Sequence, residues 1–189
     1  MSYRIYRTEA LVVRALPHRD ADRLLVLYTA DFGLLFARAS GIRRERSRLR
    51  YALGELSLAE VALVRGKAGW RITGAIARAG APRQKQALLS LARIGALLSR
   101  LVHGENRDPY LFSTLAAAHR ALHAGSDPEA IEVVTVSRVL HALGYVAPGA
   151  DDAALYADTA YAAASLQEVE QVLPRLVGRI NAALAATQL

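Results

Sequence analysis

Apolar positions in the N-terminal part of the chain, as far as Ala79, fall into short runs separated by polar or glycine-containing turns, a pattern typical of β-strands. Two turns are marked by Pro17-His18-Arg19-Asp20 and Asp31-Phe32-Gly33, and a third by residues 65–69. The pattern predicts five strands. They are Thr8 to Ala15, Arg23 to Thr29, Leu34 to Ser40, Leu56 to Val64 and Trp70 to Ala77.

Five strands in so short a stretch are typical of a small barrel. The OB-fold, a five-stranded barrel, binds oligonucleotides through strands 2 and 3 and through the loops that join strands 1–2 and 4–5. Here those two loops contain His18, Arg19, Arg65 and Lys67, so the positions that an OB-fold uses are basic. An SH3-like barrel remains an alternative.

After Pro82 the pattern changes to alanine and leucine at helical spacing. The first predicted helix, Gln84 to His103, carries one apolar stripe. The stripe consists of Leu88, Leu91, Gly95, Leu98 and Val102. Asp127 and Pro128 suit the N-cap and the first position of a third helix, which ends near residue 144. The sequence therefore predicts an α-helical second half.

The other helix predictions complete the division of the chain. A second helix begins near Pro109 and ends near His123, and a last one occupies Gln167 to Ala186, with Pro174 as a kink or a new start. The stretch 151–166 has no clear pattern. The predicted fold class is α+β, with an N-terminal five-stranded OB-fold barrel at residues 1–80 and an α-helical domain at residues 83–189.

Positive charge is concentrated in the half that is rich in strands. The chain has a net charge of +7, yet residues 1–85 carry 17 Arg or Lys against 7 Asp or Glu, or +10. Residues 86–189 carry 7 against 10, or −3. Such asymmetry favours a polyanion-binding module joined to a module with another role, although a basic surface can also be merely solvated.

Five arginines lie within eight residues between the third and fourth predicted strands. A guanidinium group stays charged and matches phosphate oxygens with two parallel hydrogen bonds, so the cluster indicates a polyanion partner. We predict that these arginines contact phosphates and that residues of the flanking loops and strands extend the path. The candidates are Arg43, Arg44, Arg46, Arg48 and Arg50, with Arg19, Arg65, Lys67 and Arg71.

Aromatic side chains in the same half are candidates for stacking on bases. Trp70 lies beside the basic 65–67 loop and is included among the candidate DNA-binding residues, although barrel packing is the favoured interpretation of its ring. Tyr28 and Phe36 lie in apolar runs and are predicted to be core residues. Tyr51 is the fourth aromatic candidate.

Other kinds of chemistry lack support in the sequence. The chain has no cysteine, which excludes disulfides and thiolate metal sites. His119 and His123 have helical metal-pair spacing but no third ligand, so a helix surface is the favoured interpretation. Asp20 and Asp22 are interpreted as ion-pair partners of nearby arginines. With no Walker loop, nucleophile elbow or dinucleotide fingerprint, an enzyme is not expected.

The sequence also bears on location. The longest run without Asp, Glu, Lys or Arg is the twelve residues Val139 to Ala150, too short to cross a bilayer. The N-terminus lacks the apolar core of a signal peptide. We therefore expect a cytoplasmic protein.

A series of short motifs occurs in a recognisable order between residues 4 and 148. It comprises Tyr6-Arg7-Thr8-Glu9-Ala10, Asp20-x-Asp22-Arg23-Leu24, Tyr28-Thr29, Gly33-Leu34, Ala39-x-Gly41-x-Arg43, Ser47-Arg48, Leu53, Leu56, Arg65-Gly66, Leu111-Phe112, Leu115, Leu140 and Leu143-Gly144-Tyr145. In order and spacing the series resembles the bacterial RecO family of recombination mediators. Arg43 and Arg48 fall on matched positions and are the strongest DNA-binding candidates.

The resemblance implies a non-enzymatic DNA-repair factor without a cofactor. It would bind single- and double-stranded DNA, anneal complementary strands and, with RecR, assist RecA loading onto DNA covered by the single-strand binding protein SSB. SSB's acidic, apolar tail would suit an apolar groove beside a basic residue of the helical half. Arg138, with Arg120 behind it, is the candidate for that contact, although a solvated arginine on a helix face is the favoured interpretation of each.

The sequence departs from the family after the Leu-Gly-Tyr motif. Many relatives continue with two Cys-x-x-Cys pairs that hold zinc, whereas this chain continues with residues 146–151 and has no cysteine. We therefore expect a short form without zinc.

Two other functions remain open. An RNA-binding OB-fold accessory protein would prefer RNA through 2′-hydroxyl contacts. A protein adaptor would dock an acidic protein on its basic half and would keep any annealing activity when the five clustered arginines are replaced by alanine.

Overall fold

A computed structural model describes residues 4–149, 152–161 and 163–186, and the chain divides into two compact units. The first unit consists of Met1–Ala81 and Val102–Phe112, and the second of Pro82–Leu101 and Ser113–Leu189. All five strands belong to the first unit. The segment 102–112, which follows a helix of the second unit, therefore packs with the strands.

The first unit is a closed five-stranded barrel, as the sequence predicts. Around the barrel the order is first, second, third, fifth and fourth strand, and all neighbours are antiparallel except the third and fifth. This is an OB-fold barrel. Its strands are β1 (Ile5–His18), β2 (Asp22–Thr29), β3 (Gly33–Ala39), β4 (Leu58–Gly66) and β5 (Gly69–Ala79).

The barrel core follows from the two-residue period of its strands. Leu25 and Leu27 of β2 and Leu35 and Ala37 of β3 are buried in one cluster. Alternate residues of β1, β4 and β5 complete that cluster. Residues between these inward positions must face outward, and on β2 and β3 they form the surface on which the candidate site lies.

Several boundaries of the elements differ from the prediction. β1 continues through Pro17, which was predicted to be in a turn, because beyond Leu11 the strand pairs only with β2 and the proline lies on an open edge. β4 begins at Leu58 and not at Leu56, whose φ of 59° is incompatible with a strand. The last two clustered arginines, Arg48 and Arg50, lie in a short helix, α1 (Arg48–Ala52), where a loop was predicted.

The predicted long helices are present. They are α2 (Lys85–Leu101), α3 (Pro109–Ala124), α4 (Pro128–Ala142) and α6 (Ala163–Ala186), and a single turn, α5 (Ala154–Ala157), precedes the last. The predicted N-cap is confirmed, because the Asp127 carboxylate accepts hydrogen bonds from the backbone N–H groups of Glu129 and Ala130. α6 begins four residues before Gln167 and contains Pro174.

Within the second unit, α4 packs against α2 and α6. Leu140 of α4 is in one cluster with Leu101 and Ile180. The predicted stripe of α2 is wrong at two positions. Leu88 is exposed while Ala87 is buried in its place, and Val102 lies beyond the helix in the first unit.

Candidate nucleic-acid interface

A groove of about 580 Å³ lies on the outer face of β2 and β3, and we call it the β2–β3 groove. Leu24, Phe36 and Arg38 line it from the two strands, and Arg38 lies opposite Leu24 in the strand register. They alternate with the buried core residues and therefore face outward. The rest of the lining consists of His18, Arg19, Val64 and residues 66–71.

Basic side chains surround this groove on two loops and two strands. Arg19 begins the loop after β1, and Lys67 lies in the two-residue hairpin that joins β4 to β5. The parallel pairing of β3 with β5 places Arg71 opposite Arg38. Three of the four, Arg19, Lys67 and Arg71, are exposed. The groove therefore combines cationic edges with an apolar floor, which suits a chain of phosphates and bases.

Phe36 is the large apolar side chain most accessible in this groove, with 53% of its surface exposed. The prediction that it is a core residue is wrong, because the neighbouring Leu35 and Ala37 take the inward positions of β3. Tyr28 is fully buried, as predicted. Burial, with a smaller contribution from the charge of Asp108, raises the pKa of its hydroxyl above the ordinary value.

Trp70 is held by packing and by a hydrogen bond. Only 6% of its surface is exposed, and its indole N–H donates to Glu105 at 2.9 Å. The ring packs against Tyr6 and Phe32 at centroid distances of 5.5 and 5.1 Å. This burial favours the packing interpretation of Trp70 over base stacking.

Arg65 shares the same acidic partner. Its guanidinium lies 3.2 Å from the Glu105 carboxylate and 5.3 Å from the centre of the Trp70 ring. A carboxylate at this distance offsets much of the arginine's positive charge. Among the predicted phosphate contacts, Arg65 is therefore less available than Lys67 or Arg71.

The arginine-rich segment is anchored to the loop between β1 and β2. Gly41 has a φ of 65°, as expected at a turn. Its N–H donates to the Asp22 carboxylate at 2.8 Å, and Arg43 donates from its side chain to the backbone carbonyl of Asp20 at 3.0 Å. Asp22 also lies 3.9 Å from Arg38, so its ion-pair partner is an arginine of β3 and not one of the nearby arginines that were predicted.

A second groove, of about 460 Å³, lies beside this segment, and we call it the arginine groove. Arg23, Arg43 and Arg50 line it, with Ile42, Leu53 and Gly54 between them. Arg44, Arg46 and Arg48 are exposed on the same segment. Tyr51, which follows Arg50 on α1, is 80% exposed. The five clustered arginines thus differ in position: two line a groove and three are on open surface.

The position of Arg138 in the helical half contradicts its predicted contact with a partner protein. Arg138 is only 3% exposed, and its guanidinium donates to the backbone carbonyls of Leu155, Thr159 and Ala160. It ties the segment after α4 to that helix and is not available to a partner protein. Arg120 is exposed on α3 and remains the candidate for that contact.

The histidine pair also differs from its predicted setting. His119 is buried and not on a helix surface, and its ring centre lies 6.2 Å from that of His123. Within the described ranges, no three or more His, Asp or Glu side chains are grouped closely enough to hold a metal ion. Across the same residues, none of the helices has the length and apolarity needed to span a membrane.

Sequence reasoning missed Arg23 and Arg38, although each lines a groove. The signal for Arg38 was its position between Ala37 and Ala39, two small residues that face the core. Arg23 is at the start of β2, where the strand leaves the barrel interior. For Arg38 the alternation of β3 was sufficient to predict an outward side chain, whereas Arg23 shares the inward phase of Leu25 and Leu27, and only its place at the start of β2 indicated exposure.

Two family models match the chain. Residues 1–79 match the recombination protein O N-terminal model, and residues 84–178 match the recombination protein O C-terminal model. Together they cover the barrel and most of the helical half.

Several proteins named DNA repair protein RecO are similar to the chain. The one from Dehalococcoides mccartyi strain CBDB1 is 32% identical over 128 residues, which is 66% of this chain and 50% of that protein. The one from Roseiflexus sp. strain RS-1 is 32% identical over 154 residues, or 77% and 52%. The one from Heliobacterium modesticaldum is 44% identical over 64 residues, or 34% and 23%. The chain spans about half the length of the first two relatives.

Proposed function

The chain belongs to the recombination protein O family, and on that premise we propose that it is a DNA repair and recombination factor that binds DNA with little sequence specificity. The observation that carries the proposal is the β2–β3 groove, where the exposed Phe36 ring lies among Arg19, Arg38, Lys67 and Arg71. The groove can bind phosphates and the faces of bases, and a single strand presents both.

In the proposed complex the basic residues contact phosphates and Phe36 stacks on a base. Each phosphate neutralised on a single strand contributes roughly 0.7 to the slope of log K against log salt. Base stacking on an aromatic ring contributes on the order of 1–3 kcal/mol. Neither interaction reads the hydrogen-bonding edge of a base, so affinity should vary little with sequence. Double-stranded DNA would bind through its phosphates alone.

Strand annealing follows from such binding without a catalytic group. Two complementary strands repel each other through their phosphates, and a cationic surface that binds them lowers this repulsion. Bases held by their faces keep their pairing edges free. We propose that the protein acts as a non-enzymatic annealing factor, in the cytoplasm and at the nucleoid.

Family membership extends the proposal to protein partners. With RecR, the factor would assist RecA loading onto single-stranded DNA covered by SSB. The acidic tail of SSB would be bound by the helical half, where Arg120 is the remaining candidate. Annealing of SSB-coated strands, with and without the cognate RecR, tests this part. Failure on coated strands alone would restrict the proposal to bare DNA.

The DNA-binding part is tested by anisotropy titrations of a labelled single strand at several salt concentrations. The variant Lys67→Gln/Arg71→Gln should lower the salt slope by about 1.4, since two phosphate contacts are lost. The control Arg7→Gln/Arg78→Gln removes the same charge from exposed residues that pair with Glu60 outside the groove, and should leave the slope nearly unchanged. Equal slopes for both variants would refute the groove as the binding site.

The same titration distinguishes DNA from RNA. Competition by unlabelled DNA and RNA oligonucleotides of equal length and sequence should favour DNA or show no preference. A clear preference for RNA would replace the proposal with an RNA-binding function.

A further inference from the structure

The barrel unit carries two cationic grooves that share no lining residue. Two successive residues of strand β2 line different grooves. Leu24 lines the β2–β3 groove, while Arg23, the preceding residue, lines the arginine groove. Leu24 faces out of the barrel, whereas Arg23 has the inward phase of Leu25 and Leu27, so the arginine groove lies at the end of the barrel and the β2–β3 groove on its outer face.

An acidic residue lies at the boundary between the grooves. The Asp22 carboxylate is 3.9 Å from Arg38 of the β2–β3 groove and accepts a hydrogen bond from Gly41, beside Ile42 of the arginine groove. This carboxylate interrupts the series of cationic side chains between the two grooves, which share no lining residue. The grooves are therefore better suited to two ligands than to one continuous strand.

The arginine groove has the chemistry of a phosphodiester site. Among the residues that the structure describes, no carboxylate lies within 4.0 Å of the guanidinium nitrogens of Arg23, Arg43 or Arg50. Their charge is thus open to an external anion, and the guanidinium fork matches phosphate oxygens. The exposed Tyr51 follows Arg50 on α1 but does not line the groove, so the groove owes its cationic character to three guanidinium groups, which match the phosphates of a nucleic acid.

We infer that the arginine groove is a second nucleic-acid site, which holds the complementary strand while the β2–β3 groove holds the first. The inference rests on the proposed function, because it assumes a strand in the β2–β3 groove. One chain would then bring two strands together, one on the outer face of the barrel and one at its end. Annealing would require one protein molecule and not two.

Native mass spectrometry with two non-complementary oligonucleotides of different mass tests the inference directly. The wild-type chain should form a complex of one protein with both strands. The variant Arg43→Gln/Arg50→Gln should bind the first strand with near wild-type affinity and the second about tenfold or more weakly. Arg7→Gln/Arg78→Gln, with the same change in charge, should retain both strands.

Arg43 also anchors the β1–β2 loop, so Arg50→Gln alone is a second test that leaves this hydrogen bond intact. It should show the same selective loss of the second strand, and Arg43→Lys/Arg50→Lys should recover part of it by restoring charge. If Arg43→Gln/Arg50→Gln and Arg50→Gln both retain two strands, the inference is wrong. Binding of an acidic peptide that only these variants lose would assign the groove to a protein partner instead.

Mixing experiments test whether one protein molecule or two hold the strands that anneal. Phe36→Ala/Lys67→Gln and Arg43→Gln/Arg50→Gln should each anneal bare strands slowly, and an equimolar mixture should remain slow. Recovery in the mixture would mean that separate molecules carry the two strands, which overturns the inference.

The binding of each strand by these variants separates the inference from the proposed function. If both variants weaken binding of the first strand equally, the grooves form one site, and the proposed DNA binding survives without the second site. If neither variant weakens binding of any strand, the proposed function itself fails.

Discussion

Replacing Phe36 by alanine isolates the contribution of base stacking to the affinity for single-stranded DNA. The ring is 53% exposed in the β2–β3 groove, so about half of it is free to contact a base. Loss of one stacking contact of about 1–3 kcal/mol would weaken binding by roughly 5- to 150-fold. Since no charge changes, the salt slope should stay the same.

The cost to folding should be small and can be matched by a control. Full burial of a phenylalanine contributes about 1.5–3 kcal/mol, and only about half of this ring is buried, so Phe36→Ala should lower the free energy of unfolding by about 1 kcal/mol. Ile76 of β5 has the same exposed fraction, 53%, and does not line the groove. Ile76→Ala should have a similar effect on stability and no effect on DNA affinity.

The assay is fluorescence anisotropy with a labelled single strand, together with urea denaturation of each variant. Phe36→Tyr should keep most of the affinity because it keeps the aromatic face, whereas Phe36→Leu should lose nearly as much as Phe36→Ala. A wild-type affinity in Phe36→Ala would refute stacking in this groove. So would equal losses in Phe36→Ala and Ile76→Ala, since a general loss of stability would then explain both.

Three predictions concern stability. Arg138→Met should lower the free energy of unfolding by about 3 kcal/mol in urea denaturation, because three carbonyls lose a charged donor, and an unchanged midpoint would contradict this role. Gly33→Ala should be strongly destabilising, because its φ is 67° and an added Cβ would overlap the Asn106 carbonyl oxygen. Gly80→Ala, in open space, should be nearly neutral, and thermal denaturation of the two variants measures the difference. Asp127→Ala should cost about 1 kcal/mol through loss of the N-cap, and Asp127→Asn should recover most of this in urea denaturation.

The arrangement of elements was accessible from the sequence because it depends on local periodicity. Alternating apolar runs predicted five strands, and helical spacing with the Asp127-Pro128 start predicted the helices. The predicted boundaries were wrong where the pairing of neighbouring strands decides the local structure. Pro17 lies in β1 because that part of the strand has an open edge. The open edge is a property of the sheet and cannot be predicted from Pro17 and its neighbours in sequence.

Individual side chains of the site were less predictable, because their exposure depends on what packs against them. Phe36 in an apolar run resembles a core residue until the phase of β3 is known. Arg138 resembles a surface arginine until three carbonyls from a distant segment surround it. In both cases a residue type and its near neighbours were compatible with either environment.

By itself, the sequence determined that the chain has a basic, strand-rich half and a helical half, and that the basic half suits a polyanion. Net charge is a sum over residues, and periodicity depends only on the spacing of neighbouring residues, so both follow from the sequence without coordinates. Only the tertiary structure divided the basic residues into two grooves. Arg23 and Leu24 are adjacent in sequence, and the pleat of a strand in a closed barrel sends them to opposite sides.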